Sequence, residues 1–218
     1  ELYNADPLTY IPAIKEIISR GGYVFRMGDA KRFQNIQYKM EPLPKIKGLI
    51  DYPFTKQKSE FMDIFLAATC RFCIGTTSGF WPVPRFFNKP VLMTNLIPAI
   101  NYYMLNGNEL VLPKKIIESE TGKLYKLDKQ FQIEGGSIIS NIQLNSKKLQ
   151  YVNNTEDEIK LAVVEMFDLL EKKSINNEFL IKNKKVKEKL DILNLKAYEF
   201  PLKAMANFSL SYLKQYPN

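Results

Sequence analysis

The chain contains no histidine. That absence removes Ser-His-Asp and Cys-His nucleophile pairs, and most zinc sites with them. Cysteine is nearly absent: Cys70 and Cys73 form a single C-x-x-C, with no second pair to complete a metal site. Cys73 falls in an apolar strand rather than at a helix N-terminus, where reactive thiols are usually activated. Both therefore read as small buried residues, and they weakly imply a reducing compartment. No apolar run approaches the ~20 residues needed to span a bilayer. The opening ELYNADPLTY lacks the basic start and apolar stretch of a secretory signal. It also lacks a methionine and runs straight into a helix-start signal, which predicts that an N-terminal part precedes it. No Gly-Lys-Ser/Thr follows the hydroxyl-rich glycine turn described below, and G-x-G-x-x-G is absent, which disfavours NTPases and the common dinucleotide enzymes.

Arginine is scarce too. Only Arg20, Arg26, Arg32, Arg71 and Arg85 are present among 31 basic residues. The net charge of +8 first suggests nucleic acid. The distribution argues otherwise, because the lysines are scattered or gathered late, as from Ile181 to Lys187. A solvated lysine face is the plainer reading, and weak peripheral attraction to an anionic membrane surface is the alternative. With 45% apolar and 25% charged residues over 218 positions, the chain suits one large globular domain with a sizeable core.

Short apolar strands alternate with helices along the chain. Asp6, Pro7 and Thr9 start a helix whose face carries Tyr10, Ile14, Ile17 and Ile18, and Gly21-Gly22 stops it. Strands are expected at Tyr23–Arg26, Gly48–Tyr52, Arg71–Ile74, Pro90–Met93, Glu109–Leu112 and Leu149–Val152. Ser59 caps a helix with Phe61, Ile64, Phe65 and Ala68 on one side. Phe80–Phe87 reads as a buried aromatic helix. Residues 30–46 read as a loop, Ile97–Leu105 as partly helical, and 118–148 as a polar stretch that holds either a hairpin or an ordered excursion. Thr155-Glu156-Asp157-Glu158 is a capping box opening a helix with Ile159, Val163, Met166, Phe167 and Leu170 inward. Helices are expected again at 175–190 and at Ala204–Tyr216. This order predicts an α/β fold, a Rossmann-like parallel sheet flanked by helices, in one domain over 1–218 with C-terminal helices from about 155.

Ligands of such sheets sit at the carboxyl ends of the strands. Four strand ends there carry polar groups: Arg26 with Gly28 and Asp29, Asp51 with Tyr52, the turn from Gly75 through Thr76, Thr77, Ser78 and Gly79, and Thr94-Asn95. A strand-to-helix turn aims unpaired N–H groups at its ligand, so the hydroxyl-rich turn is the first candidate for phosphate or sugar; plain helix capping is the alternative. Arg26 stands either to neutralise a phosphate bidentately or to pair with Asp29 or Asp63. Asp51 is either a structural turn residue or a ligand contact. No carboxylate pair stands out as acid and base, so no catalytic residue is assigned.

The segments YIPAIKEIISRGGYVFRMGD, IDY, SEFMDIFLAATCRFCIGTTSGFWPVPRFFNKPVLMTNLIP and LVLPK, and the closing NFSLSYLKQYPN, resemble a family of bacterial glycosyltransferases. The middle block more distantly resembles the fucosyltransferase-like group. The resemblance implies a GT-B architecture, in which this chain is the C-terminal, donor-binding half and an N-terminal partner domain lies outside it. It implies a nucleotide-sugar donor as co-substrate, a glycan or lipid-linked acceptor, no nucleic acid, and no metal or other cofactor, in keeping with the missing Asp-x-Asp. Thr77, Ser78 and Gly79 would face the diphosphate, Arg26 would supply positive charge, and Lys114 a second cation. The location implied is cytoplasmic, peripheral at the inner membrane where it touches a membrane at all. A nucleotide-sugar epimerase or hydrolase on the same fold, and a non-catalytic carbohydrate- or partner-binding domain, are the rival readings.

Overall fold

In the computed structural model, residues 5–30, 40–97, 107–134, 141–172, 177–197 and 206–216 are described. A 3-10 turn at Pro7–Tyr10 leads into α1 (Ile11–Ser19), then β1 (Val24–Arg26), β2 (Leu49–Asp51), α2 (Glu60–Thr69) and β3 (Cys73–Gly75). There follow α3 (Pro82–Phe86), β4 (Val91–Leu96), β5 (Leu110–Pro113), β6 (Lys115–Glu118), α4 (Leu127–Glu134), α5 (Asn141–Ser146) and β7 (Leu149–Val152). The chain closes with α6 (Glu156–Leu170), α7 (Asn177–Ala197), β8 (Asn207–Phe208) and α8 (Leu210–Leu213).

The protein is α/β. A parallel sheet in the order β3-β4-β5-β8 is flanked by helices, while β1 and β2 form a separate parallel pair. Every residue of β4, and Leu110, Val111 and Leu112 of β5, is buried, as expected of central parallel strands covered on both faces. α6 lies against these strands and α1, seating Ile159, Val163, Met166 and Phe167 on the core. Its N-terminus is the expected capping box: Glu158 N–H donates to Thr155 Oγ1 and Thr155 N–H to Glu158 Oε2.

The carboxyl end of β4 is organised by one buried polar network. Asn95 takes a left-handed φ of 49° at a register shift between Thr94 and Leu96. Asparagine tolerates that region better than most residues. Asn95 N–H donates to Asn154 Oδ1, and Asn154 N–H donates back to Asn95 Oδ1 at 2.8 Å. Asn154 Nδ2 donates to the Pro113 carbonyl oxygen at 2.8 Å, and Asn95 Nδ2 to the Tyr10 hydroxyl at 3.2 Å. That hydroxyl is 2.7 Å from Thr94 Oγ1, which donates to the Gly75 carbonyl oxygen at 3.0 Å. Burial raises the Tyr10 phenol above its ordinary range, against the opposing effect of the Thr94 and Asn95 bonds. The network joins the start of α1, β3, β4, β5 and the turn into α6.

Phe61, Ile64 and Phe65 face outward, at 74%, 46% and 47% exposure, and only Ala67 of α2 is buried. Their helical spacing is real, but that side of the helix is the exposed one, and α2 packs against α3. Several expectations are corrected. The aromatic helix shrinks to Pro82–Phe86, with Phe86 82% exposed, because Pro82 and Pro84 supply no N–H to extend it. β7 pairs antiparallel with β6 and so is no part of the main sheet. Of the two readings of 118–148, the structure has the ordered excursion: it holds α4 and α5, with an isolated bridge between Ile117 and Leu124. Residues 206–216 are a short strand and a helical turn in place of the single helix expected over 204–216. β8 is the sheet's edge, pinned by Asn183, whose Oδ1 accepts from Phe208 N–H at 2.7 Å and whose Nδ2 donates to the Phe208 carbonyl oxygen at 3.0 Å. The loop expected over 30–46 and the helix over 97–105 fall largely outside the described residues.

Two outcomes follow. Asn154→Ala leaves the Asn95 N–H and the Pro113 carbonyl unpaired in the interior, and should cost about 3 kcal/mol in urea unfolding. Burial pushes the Cys73 thiol up to about 12 and raises Cys70 by a smaller step. Iodoacetamide at pH 8 should therefore label Cys70 before Cys73, both more slowly than free cysteine, with Cys73 reacting at the rate of opening; mass spectrometry of the alkylated peptides reads the order.

Candidate functional site

Tyr10, at the start of α1, touches Thr94 and Asn95, so α1 begins at the carboxyl end of β4. In the main sheet the loop after β3 opens on the edge where a parallel sheet binds ligands, while β1 and β2 form a parallel pair of their own.

Most of the sequence-derived candidates are engaged internally. Arg26 and Asp51 are direct partners across β1 and β2, with Arg26 Nη1 3.2 Å from Asp51 Oδ1 and 3.4 Å from Oδ2. Arg26 Nη1 also donates to the Glu41 carbonyl oxygen at 2.7 Å, and Asp51 Oδ2 accepts Leu43 N–H at 2.7 Å. The pair fastens the chain at 41–43, so the partner of Arg26 is Asp51 and neither Asp29 nor Asp63. Tyr52 is buried, and its hydroxyl donates to the Ser59 carbonyl oxygen and accepts Ser59 N–H, closing the loop before α2. Asn95 belongs to the buried network. Lys114 is buried just beyond β5, and burial lowers its ammonium below the ordinary lysine range.

The hydroxyl turn is half engaged. Thr77 Oγ1 accepts Ile97 N–H and donates to the Ile97 carbonyl oxygen, each at 3.2 Å, fastening the turn to the end of β4. Thr76 is half-buried, while Ser78 and Gly79 are exposed. The turn does not lead directly into a phosphate-ready helix. Pro82 and Pro84 occupy two of the first three helical positions, and Val83 N–H is taken by the Phe80 carbonyl oxygen. Prolines have no N–H to offer, so the anion site expected of the helix terminus is lost. The close packing of the turn has a reason in Gly75, where a Cβ would fall 2.8 Å from Trp81 Cβ.

A second cluster adjoins β1 and β2. Lys58 Nζ meets Asp63 Oδ2 at 2.5 Å and lies 5.4 Å from the Tyr52 ring centroid. Asp63 Oδ1 is buried without a hydrogen-bond partner. Burial disfavours the Lys58 charge, but the hydrogen bond and charge of Asp63, with Tyr52 and Asp29 nearby, together hold its ammonium above the ordinary range. Asp29 is thereby placed beside the cluster, next to Gly28, whose φ of +149° lies where side chains are strained. Lys58 carried no sequence signal. It stands outside the helix, five positions from Asp63, so neither helical nor strand periodicity pairs the two. Among the described residues, no group of three or more acidic or cysteine side chains gathers into a set fit to hold a metal ion.

No protein-family model, no curated protein and no solved structure matches the chain.

Because the Lys58 value is raised in the folded state, the stabilisation it brings is complete below the ordinary lysine value of about 10.4 and is lost as pH rises through the folded value. Urea midpoints measured from pH 9 to 11.5 should fall for the native protein, and Lys58→Met should fall less steeply.

Proposed function

We propose that the chain is the donor-binding part of a glycosyltransferase of GT-B architecture, taking a nucleotide-sugar and passing its sugar to a glycan or lipid-linked acceptor at the cytoplasmic side of a membrane. The observation that carries the proposal is the composition of the carboxyl edge. Ser78 and Gly79 lie open in the β3 turn, and Lys58, half-buried and paired with Asp63, brings a cation to the start of α2. A diphosphate needs donors and positive charge. The resemblance in RMGD, GTTSGF and PVLMTN adds to this, and the parallel sheet is compatible with a Rossmann-like domain.

In this mechanism negative charge grows on the departing nucleoside diphosphate. Ser78 Oγ and the Gly79 N–H donate to its oxygens, and Lys58 offsets the charge. Arg26 acts indirectly, holding the loop after β1 through Asp51 and Glu41. The acceptor hydroxyl must lose a proton as its oxygen attacks the sugar carbon, and no group is assigned to that step.

The test is calorimetric titration of UDP, GDP, CMP and dTDP into the protein and into Ser78→Ala and Lys58→Met. One nucleotide should bind, and each substitution should weaken it by about 1.5–3 kcal/mol, the range for a charged hydrogen bond. Binding of none of the four to the full-length protein sinks the reading.

A further inference from the structure

We propose that the outward face of α7 is a docking surface for an anionic lipid bilayer. The helix is fixed about its own axis from its inner side. Phe179, Asn183 and Leu190 are buried, with Val186 packed among them, and Asn183 makes two hydrogen bonds to the backbone of Phe208. Lys187 Nζ adds a bond to Asn207 Oδ1 at 2.9 Å. With the inner face held in this way, the outer face is determined by the helical period.

That face presents Leu180 and Ile181, 50% and 55% exposed, followed one turn later by the exposed Lys184 and Lys185, and then by Lys189. Leu180 stands four positions from Lys184, Ile181 four from Lys185, and Lys185 four from Lys189, so these side chains are neighbours on the surface. The three lysines make no ion pair among the described residues. Among the described side chains, Glu188 is the exposed acid on that face, and Glu178 is paired with Lys214. Like charges a turn apart repel, so the arrangement favours an anionic partner.

The two aliphatic side chains choose between anions. A polyphosphate backbone would use the cations and leave Leu180 and Ile181 idle, whereas a bilayer takes both: acyl chains receive the aliphatics and anionic headgroups the lysines. The cations are all lysine, which suits diffuse attraction to a charged surface better than the bidentate phosphate recognition typical of arginine. No described helix is long and apolar enough to cross a membrane, so α7 would lie on the surface. It covers the β8 edge of the sheet, and the open turn follows β3 at the opposite edge, so docking leaves Ser78 and Gly79 uncovered.

The test is co-sedimentation of the full chain with phosphatidylcholine vesicles and with vesicles containing phosphatidylglycerol, at low and high salt. It compares the native protein with the triple variant Lys184→Gln/Lys185→Gln/Lys189→Gln and the double variant Leu180→Ser/Ile181→Ser, each checked for folding by circular dichroism. Binding should require phosphatidylglycerol and weaken with salt. The triple variant should lose about 100-fold in affinity, roughly fivefold per lysine, and the double variant about tenfold or more. Absence of binding to the anionic vesicles overturns the proposal, as does equal binding by all three proteins. So does binding to an RNA oligonucleotide, lost in the triple variant alone, with no vesicle binding.

Discussion

The reciprocal pair of Asn95 and Asn154 is the constraint on which the sheet's carboxyl edge depends. Each residue satisfies the other's backbone N–H with its own side-chain oxygen, and each side-chain amide reaches a further element. A register shift in a buried strand leaves backbone groups that water cannot reach, so their partners must come from side chains. Asn95 creates the shift and helps satisfy it. Tyr10 and Thr94 extend the same network to α1 and β3, so the edge of the sheet and the position of α1 are set together.

This economy has a functional consequence. Polar residues at strand ends are what a ligand site needs, and also what a parallel sheet needs to finish its own hydrogen bonding. Arg26, Asp51, Tyr52, Thr77 and Asn95 serve the second purpose here. They hold loops in place, and what they leave open is smaller: Ser78, Gly79, and the neighbourhood of Lys58 and Asp63. The prolines of α3 sharpen the contrast, because they remove the N–H groups by which a strand-to-helix turn ordinarily receives an anion. An anion at this edge would therefore have to be held by side chains and by the turn itself.

Legibility followed the length over which a pattern repeats. The helix α6 is readable with its capping box and inward face over four turns, and α1 with its apolar face and glycine stop, although Asp6 caps the 3-10 turn before it and not α1 itself. The parallel strands were readable as apolar runs separated by helices. β8 was not, since two residues carry no period and their strand character comes from lying beside Val111. In α2 the spacing puts Phe61, Ile64 and Phe65 on one side, as observed, but spacing cannot say whether anything covers them, and here that side is exposed.

The sequence by itself determined the class of the fold, the caps and stops of the longer helices, and the set of polar residues near the strand ends, because each depends on neighbours a few positions away. Only the tertiary structure decided which of those residues are partners. Arg26 meets Asp51 because β1 and β2 pair in register, and Asn95 meets Asn154 because the turn into α6 is folded onto β4 across 59 positions. Lys58 joins the candidate site, and Arg26 becomes part of its support, for the same reason. A hydrogen bond depends on ångström-scale geometry between distant segments, and local pattern carries no record of which segments will meet.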